Sequence, residues 1–324
     1  MKTIFTLFAS LLLSVSVCAQ VTLSGALSGD FADLWQAFAA IHSGGGSGVV
    51  HISITADITT TQTAQLVSTN YQVIIRPVGN RTLTITNGNL PLIHLNNAQH
   101  VFIDGVALSG DNTLTLVSLA SGSTAPVILL ENDAAHNRIS NCTVRGGTIT
   151  NTSLFNGIIT LANNTGDTGC DQDTISGNLI RERFSLALPF IGITMKGRSA
   201  AVTNDDCLIE GNQIVNIFNP TGISDGVFSR SFNRGTMIIG NHFYQTANRL
   251  GTNTTMAPNM RAIEITNPGF FDDSGGFVIR DNWIGGTAPF CGGAALNLVN
   301  PSGPAVFFGI FAHGGNTLTR IDGN

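Results

Sequence analysis

The sequence predicts an all-β fold, a parallel β-helix (solenoid) with an N-terminal amphipathic capping helix. The main observation is a short pattern, IDGVAL at 103–108, that returns six more times before the chain ends. The second is a composition rich in Gly, Asn, Thr, Ser and Ile, and the third is one stretch of helical periodicity near the N-terminus. The copies begin at Ile103, Ile139, Ile175, Ile209, Ile238, Ile279 and Ile321. Their spacings of 36, 36, 34, 29, 41 and 42 residues are typical of a solenoid with fixed strands and variable loops, and too irregular for a propeller or a helical repeat.

The composition favours strands and restricts the partners. The chain has 324 residues, of which 11% are charged, with 37 Gly and only two Trp and two Tyr. Such a composition favours short β-strands and many turns over helices. Because the net charge is -5 and no basic stripe is visible, we expect neither nucleic acid nor an anionic membrane surface as a partner.

Two positions of the pattern predict how each coil turns and what fills its corner. The second position holds residues that accept a left-handed backbone at low cost, which predicts a corner there. These residues are Gly105, Asn141, Gly177, Gly211, Gly240, Asp281 and Gly323. The third position is Asn in the last five copies, at Asn178, Asn212, Asn241, Asn282 and Asn324. Because stacked coils lie about 4.8 Å apart, these amides can hydrogen-bond along the stack as an internal ladder. The alternative is a column of exposed functional amides.

Residues 1–19 are predicted to form a signal peptide. Lys2 precedes an apolar run at 4–17, and the tripeptide VCA before Gln20 fits the small-residue rule for cleavage. One alternative is lipid attachment at Cys18, which the bulky Val17 disfavours. The other is a membrane anchor, for which this apolar run is short. No later stretch could span a membrane, so we expect a secreted protein or one at the outer-membrane surface.

The first element after the signal peptide is predicted to be a helix at 30–42. Ser28 or Asp30 can cap its start, and the glycine-rich segment 43–48 can end it. Residues 20–48 would thus form a cap and a turn that cover the open apolar end of the β-helix. A membrane-surface or partner-binding helix is the alternative, although its polar face lacks Lys and Arg. The apolar residues on one helical face are Phe31, Leu34, Trp35, Phe38 and Ile41.

Residues 49–324 are predicted to form the β-helix itself. Each coil from residue 92 onward should carry an alternating strand whose outer residues point inward and whose middle residue points outward. The last copy of the pattern stops at 321–324, which predicts that the sequence is the front part of a longer protein. We call the three residues at the centre of each alternating strand a triplet. The predicted triplets are at 93–95, 128–130, 159–161, 193–195, 227–229, 263–265 and 296–298.

Four cysteines follow the predicted signal peptide. Cys170 and Cys207 both precede the same strand of neighbouring coils, so they are the predicted disulfide of an exported chain. Cys142 occupies the ladder position of its coil and is predicted to be a buried small hydrophobic residue. No cysteine spacing resembles a zinc site.

The N-terminal segments DLWQAFAAIHSG, VHISITADIT and LPLIHLNNAQHVFIDG carry a resemblance to a known group. Their order resembles the N-terminal region of large secreted β-helix proteins of Bacteroidota that are exported by the type IX secretion system, within the pectate-lyase-like β-helix superfamily. The resemblance covers nearly the whole mature chain and implies a right-handed parallel β-helix at or beyond the outer membrane. The family's C-terminal sorting domain has no counterpart in this sequence.

Acidic pairs are the candidate metal ligands. Right-handed β-helices include pectate lyases, which use a Ca²⁺ held by carboxylates, and polygalacturonases, which use clustered Asp residues as acid and base. Here Asp171, Asp173, Asp205 and Asp206 precede the repeated strand in adjacent coils, and 272–273 is a third pair. They could hold Ca²⁺, or they could simply hydrogen-bond the backbone of local turns. The polygalacturonase motifs NTD, DD, GHG and RIK do not occur in order.

The candidate ligand-binding residues are Lys196, Phe228, Arg230 and Glu264. Alternation in the strands predicts that they share one outward face on neighbouring coils, where charges and an aromatic ring could contact a sugar. A solvated surface without function is the alternative. The sequence therefore predicts an adhesive or carbohydrate-contacting module for a polysaccharide or cell-surface glycan. The competing prediction is a polysaccharide lyase or glycoside hydrolase acting on an acidic glycan.

Overall fold

A computed structural model of the protein describes residues 19–106, 113–119, 125–146, 157–184, 188–220, 222–251, 259–266, 274–299, 305–313 and 317–324. Most of the predicted signal peptide, residues 1–18, lies outside this set. The described chain is an all-β parallel β-helix with one helix near its N-terminus, as the sequence predicts. Each coil passes through sheet A, then sheet B, then sheet C, and returns to sheet A. We call the last two junctions the B–C edge and the C–A edge.

Sheet A carries the repeated isoleucines. Its strands, in their order along the stack, are Gly29–Phe31, Val21–Gly25, Ser47–Ile54, Asn70–Pro77, Val101–Asp104, Arg138–Ser140, Thr174–Ser176, Leu208–Glu210, Met237–Ile239, Val278–Arg280 and Arg320–Asp322. Strand pairing places the seven predicted isoleucines directly beside one another, from Ile103 to Ile321. The described isoleucines inside this column are buried, for example Ile175 and Ile238. The sequence pattern therefore predicts the register of these sheet A strands correctly.

Sheets B and C complete the coil. Sheet B consists of Ile58–Thr60, Arg81–Ile85, Leu114–Ser118, Thr143–Gly146, Leu179–Glu182, Gln213–Val215, His242–Tyr244 and Trp283–Ile284. Sheet C consists of Ala64–Val67, Ile93–Asn96, Ile128–Glu131, Ile159–Ala162, Ile191–Lys196, Ser224–Ser229, Asn259–Ile265 and Val306–Ala312. Two short parallel pairs lie outside them, Asn204–Asp205 with Asn233–Arg234 and Arg249–Leu250 with Leu298–Val299. Apolar side chains from the three sheets meet in one continuous core.

The predicted corners are confirmed at six of the seven positions. Asn141 and Asp281 have φ values of 56° and 58°, and the later glycines of the pattern have φ near 60°. Gly105 is the exception, because its φ lies outside the left-handed region. Glycine is needed there for space, since a Cβ would lie 2.0 Å from the carbonyl oxygen of Asn141.

The predicted Asn ladder is confirmed. The side-chain amide Nδ2 of each member donates to Oδ1 of the next, at 3.0 Å from Asn178 to Asn212 and again from Asn212 to Asn241. The same oxygen also accepts the backbone N–H of the preceding member, at 2.9 Å for Asn178 and 3.0 Å for Asn212. Asn282 and Asn324 continue the series. Because the ladder members from Asn178 to Asn282 are buried, the alternative of an exposed functional column is excluded for them.

The helix caps the stack but starts later than expected. It spans Leu34–Ser43, and the Asp33 side chain accepts the Trp35 backbone N–H at its start, so neither Ser28 nor Asp30 is the cap. Phe31, predicted to lie on the helix, belongs instead to a strand. The strands Gly29–Phe31 and Val21–Gly25 add antiparallel to the first edge of sheet A and so cover its unpaired backbone. The buried helical residues, which pack on the core, are Leu34, Ala37, Phe38 and Ile41.

The last predicted triplet of sheet C, 296–298, is wrong. Strand pairing places Ile310 beside Ile263 and Phe311 beside Glu264. Leu298 pairs instead with Arg249 outside the main sheets. The connection at 285–305 is the longest of its kind and carries alternating apolar residues of its own, which imitate the strand pattern. In the described part of the chain, no helix is long and apolar enough to cross a membrane.

Candidate functional site

The predicted ligand-binding residues lie on neighbouring coils of sheet C. Phe228 pairs with Glu264, and Thr194 lies on the other side of Phe228. Lys196 follows Met195, which pairs with Ser229, so Lys196 and Arg230 are neighbours in the next outward column. The structure therefore brings the four residues together as the alternation predicts. We call the outward residues Lys196, Asp225, Phe228, Arg230, Arg261 and Glu264 the sheet C face.

Glu264 is not an exposed contact residue. Its side chain is only 4% exposed, because it lies within a cluster that also contains Arg261 and Asp225. The Arg261 guanidinium donates from Nε to Asp225 Oδ1 at 2.6 Å and from Nη1 to Glu264 Oε1 at 2.6 Å. Its Nη2 also contacts Glu264 Oε2. The sequence analysis missed Asp225 and Arg261, which precede the predicted triplets, although their pairing in register could have been found by aligning the coils.

Two carboxyl groups share one guanidinium in this cluster, and that sets their protonation. Burial and the neighbouring Asp225 charge raise the pKa of Glu264 to about 8, although Arg261 opposes the shift. Burial also raises the pKa of Asp225, and again Arg261 opposes it. A hydrogen bond joins the two carboxyl groups. The raised pKa of Glu264 favours its protonated form at neutral pH, while Asp225 is ion-paired with Arg261.

This geometry does not fit a glycosidase. Retaining enzymes hold their two carboxyl groups about 5 to 5.5 Å apart, and inverting enzymes hold them farther apart to leave room for water. Asp225 and Glu264 are both bonded to the same Arg261 guanidinium, at 2.6 Å each, rather than set on opposite sides of an open space. The cluster suits a structural or charge-setting role.

The remaining predicted residues of the sheet C face are half-buried. Lys196 and Arg230 present two cations one coil apart, about 4.8 Å along the stack. Burial lowers the pKa of the Arg230 guanidinium, which stays protonated at neutral pH. Phe228 lies in the column between this pair and the Asp225–Arg261–Glu264 cluster. The arrangement can offer two positive charges and one aromatic ring to a polymer that runs along the stack.

The acidic residues predicted to bind Ca²⁺ mostly hold backbone groups at the C–A edge. Asp171 Oδ1 accepts the Asp205 N–H at 2.7 Å, and Asp173 Oδ1 accepts the Asn137 N–H at 2.8 Å. Burial raises the pKa of Asp171 to about 6 and that of Asp173 well above its ordinary value. Asp206 occupies a left-handed corner with φ of 54°. These contacts fit the turn interpretation rather than the metal interpretation.

The stacking brings together only one residue of each predicted acidic pair. Register places Asp171 beside Asp205, but it places Asp173 beside Cys207. Among the described residues, no group of three or more His, Cys, Asp or Glu side chains is placed to hold a metal ion. The third acidic pair, 272–273, lies outside the described residues.

The predicted Cys170–Cys207 disulfide is not present, because both residues are free thiols. The register gives the reason: Cys207 lies beside Asp173, whereas Cys170 lies three positions earlier and donates its N–H to Asn204 Oδ1 at 2.9 Å. The Cys207 sulfur contacts the carbonyl oxygen of Cys170 at 3.2 Å. Cys142 is buried at the ladder corner, as predicted.

The cysteines are expected to differ sharply in thiol reactivity. Burial raises the pKa of Cys142, Cys170 and Cys207, whereas Cys291 is exposed. Because the thiolate is the reactive form, a maleimide reagent should label Cys291 in the native protein within minutes and the other three only after denaturation. Mass spectrometry of labelled peptides measures this. If denaturation without reductant failed to release the Cys170 and Cys207 thiols, the disulfide would be formed after all.

Comparison with protein-family models and with curated protein sequences gives no match to this chain. The function therefore has to be argued from the fold and the chemistry of its surface.

Proposed function

We propose that the protein is an exported β-helix that contacts an acidic glycan through its sheet C face. Such a module would act at the cell surface or outside the cell, as the resemblance to secreted β-helix proteins of Bacteroidota implies. The observation that carries the proposal is the pairing of Lys196 with Arg230 in one outward column, with Phe228 beside them.

The charge of the face supports an anionic ligand. By formal charge the face carries three cations, Lys196, Arg230 and Arg261, against Asp225, and the raised pKa of Glu264 favours its uncharged form. The face is then positive, although the whole chain carries -5. A local positive surface on an acidic protein attracts anions at short range and is weakened by salt.

The shape of the fold supports a polymer rather than a small molecule. A solenoid presents the same kind of surface on each coil at regular steps, and small-molecule sites are concave pockets that bury most of the ligand. Several weak contacts at regular spacing suit a repeating polymer, because each added contact raises the total affinity. Catalysis is not favoured, since both carboxyl groups on this face are bonded to Arg261.

The test is binding of oligogalacturonate, an acidic glycan, by the Lys196→Ala plus Arg230→Ala variant. We expect about tenfold weaker binding than in the native protein, or about 1.4 kcal/mol, because two cations are lost from the contact surface. Calorimetric titration at low salt measures this. The matched control is Arg138→Ala plus Arg280→Ala, which removes two exposed cations from sheet A and should leave the affinity unchanged.

Two results would contradict the proposal. An equal loss of affinity for oligogalacturonate in both double variants would mean that binding depends only on the net charge of the protein. Release of reducing ends or unsaturated uronate by the native protein, lost in the sheet C variant with its circular dichroism intact, would favour the lyase or hydrolase instead.

A further inference from the structure

We propose that the outer face of sheet B carries a separate site, which binds the apolar face of an uncharged sugar. We call the rings of His242, Trp283 and Phe290 the aromatic corner. His242 and Trp283 are paired in register on neighbouring strands of sheet B, and Phe290 comes from the connection that follows the second strand. The inference goes beyond the proposed function, because the site lies on another sheet and its ligand carries no charge.

The register of sheet B places the first two rings on the outside of the solenoid. Trp283 lies beside His242, which lies beside Gln213 in the same column. The next residues along the two strands, Phe243 and Ile284, pack against the core. Because successive residues of a strand point to opposite sides, the column with Trp283 faces outward. Trp283 is 46% exposed, so its ring is accessible on this outer surface.

The three rings form a corner with two exposed walls. Trp283 and His242 are nearly parallel, with 4° between their planes and 6.4 Å between their centroids. The Phe290 ring lies edge-on to both, at 75° and 5.6 Å from Trp283 and at 78° and 4.3 Å from His242. Phe290 is itself 64% exposed. A sugar ring can therefore place its apolar face on one wall and its edge against the other.

A strained turn holds Phe290 in this position. Phe290 and Cys291 have φ values of 59° and 53°, in the left-handed region that bulky side chains avoid. The N–H groups of Thr287 and Ala288 both donate to the Gly292 carbonyl oxygen, at 3.0 Å, and close the turn. An exposed ring gains little from burial, so the strained backbone that presents it indicates a function in binding rather than in folding.

His242 ties this turn to sheet B and gains a fixed tautomer. The Phe290 backbone N–H donates to Nδ1 of His242 at 3.0 Å. A neutral imidazole whose Nδ1 accepts a hydrogen bond carries its proton on Nε2. Burial lowers the pKa of His242, which favours the neutral ring at neutral pH. His242 therefore offers an Nε2–H donor.

Donors for sugar hydroxyls lie in the same column as the rings. Gln213 Oε1 accepts the Tyr244 hydroxyl at 2.8 Å, which leaves the side-chain amide of Gln213 to donate elsewhere. The His242 Nε2–H and the Trp283 indole N–H lie on the next two coils. Ligand sites typically combine aromatic walls with a few polar groups, and a pyranose has an apolar face with hydroxyl groups around its edge.

The lack of charge in this part of the chain indicates a neutral sugar. Residues 282–319 contain no Asp, Glu, Lys or Arg, in a chain of which 11% is charged. Such a surface has no partner for a uronate or sulfate group, and moving that group out of water without a partner costs free energy. The aromatic corner is therefore complementary to an uncharged hexose, unlike the sheet C face.

The test uses the fluorescence of Trp283. The chain has two tryptophans, Trp35 and Trp283, so a Trp35→Phe protein has tryptophan emission from the aromatic corner alone. We expect at least one of three uncharged hexasaccharides, cellohexaose, laminarihexaose and mannohexaose, to shift this emission to shorter wavelengths. Oligogalacturonate should not shift it. In the native protein, the same hexasaccharide should slow hydrogen exchange in peptides covering 283–293.

The matched variant is Phe290→Gly, because glycine adopts a φ of 59° without strain and so removes the ring while keeping the turn. We expect it to bind the responding hexasaccharide about tenfold more weakly. The control is Phe184→Ala, which removes another ring that is 54% exposed and should leave the affinity unchanged. An unchanged affinity in a folded Phe290→Gly variant would overturn the inference.

Three other results would also overturn it. The first is a failure of all three hexasaccharides to change the emission or the hydrogen exchange. The second is a response to oligogalacturonate alone, which would assign the aromatic corner to the acidic glycan. The third is an emission shift that follows protein concentration without any sugar, together with a dimer in analytical ultracentrifugation. That result would show that a second copy of the chain covers the rings.

Discussion

Asn212→Ala is expected to prevent stable folding of the mature protein or to lower its free energy of unfolding by about 4 kcal/mol or more. The Asn212 Oδ1 atom accepts both the backbone N–H and the side-chain amide of Asn178, at 2.9 and 3.0 Å. Its Nδ2 donates to the Ile175 carbonyl oxygen at 2.8 Å and to Asn241 Oδ1 at 3.0 Å. Truncation would leave buried groups on the two neighbouring coils without partners, at about 1 to 3 kcal/mol each.

The matched control for this prediction is Asn324→Ala. Asn324 makes the same kinds of bonds to the neighbouring coil, accepting from Asn282 N and Nδ2 and donating to the Ile279 carbonyl oxygen. Its surroundings are only partly buried, so water can replace the lost groups, and we expect less than half of the Asn212 effect. Chemical denaturation followed by circular dichroism measures both. Equal and small effects in the two variants would show that the ladder is not a main source of stability.

The native protein is expected to lose stability as the pH rises, and Glu264→Gln is expected to abolish this decrease in the free energy of unfolding. The pKa of Glu264 is raised to about 8 in the folded protein, against 4.5 as its ordinary value. Between these two values the folded state binds one more proton than the unfolded state. Stability therefore falls with increasing pH across this window, by up to about 1.4 kcal/mol per pH unit.

The expected size of the Glu264→Gln effect is roughly 4 kcal/mol between pH 5 and pH 9, because the full slope applies over about three pH units. Glutamine can still donate to Asp225 and accept from Arg261, so the contacts survive while the titration is lost. The free energy of unfolding of the variant should therefore increase relative to that of the native protein as the pH rises. Urea denaturation at several pH values measures this. The control is Glu210→Gln, which replaces an exposed carboxyl on sheet A. Its free energy of unfolding should change with pH in parallel with that of the native protein. Parallel curves for Glu264→Gln as well would contradict the assigned pKa.

The repeat predicted the fold because its information is local and is copied in every coil. An Ile, a corner residue and an Asn recur together, and one register satisfies all three, so Ile103 to Ile321 align without gaps. The helix boundary is not fixed by the repeat, since the apolar spacing that places Phe31 on a helical face also permits the short strand that it forms. The assignment of 296–298 to sheet C was wrong for a similar reason, because the alternation of apolar and polar residues does not show which sheet a strand joins.

The candidate site could be predicted only in part. Alternation was enough to bring Lys196, Phe228 and Arg230 to one face, but it could not predict that Glu264 is buried. That burial depends on Arg261 and Asp225, which lie on two different coils and meet only when the coils are stacked. The disulfide prediction was wrong because nearness to the repeated strand does not fix the register of the preceding loop: Cys170 lies three positions before the residue beside Cys207.

The unequal lengths of the coils have a consequence for how such a protein can change over evolutionary time. The isoleucine column and the Asn ladder fix sheet A and the start of sheet B. The spacing from one isoleucine of the column to the next, by contrast, varies from 29 to 42 residues. An insertion in a connection at the B–C edge therefore leaves the register of every other coil intact. Recognition surfaces can diversify there one coil at a time, while the scaffold that carries them is inherited unchanged.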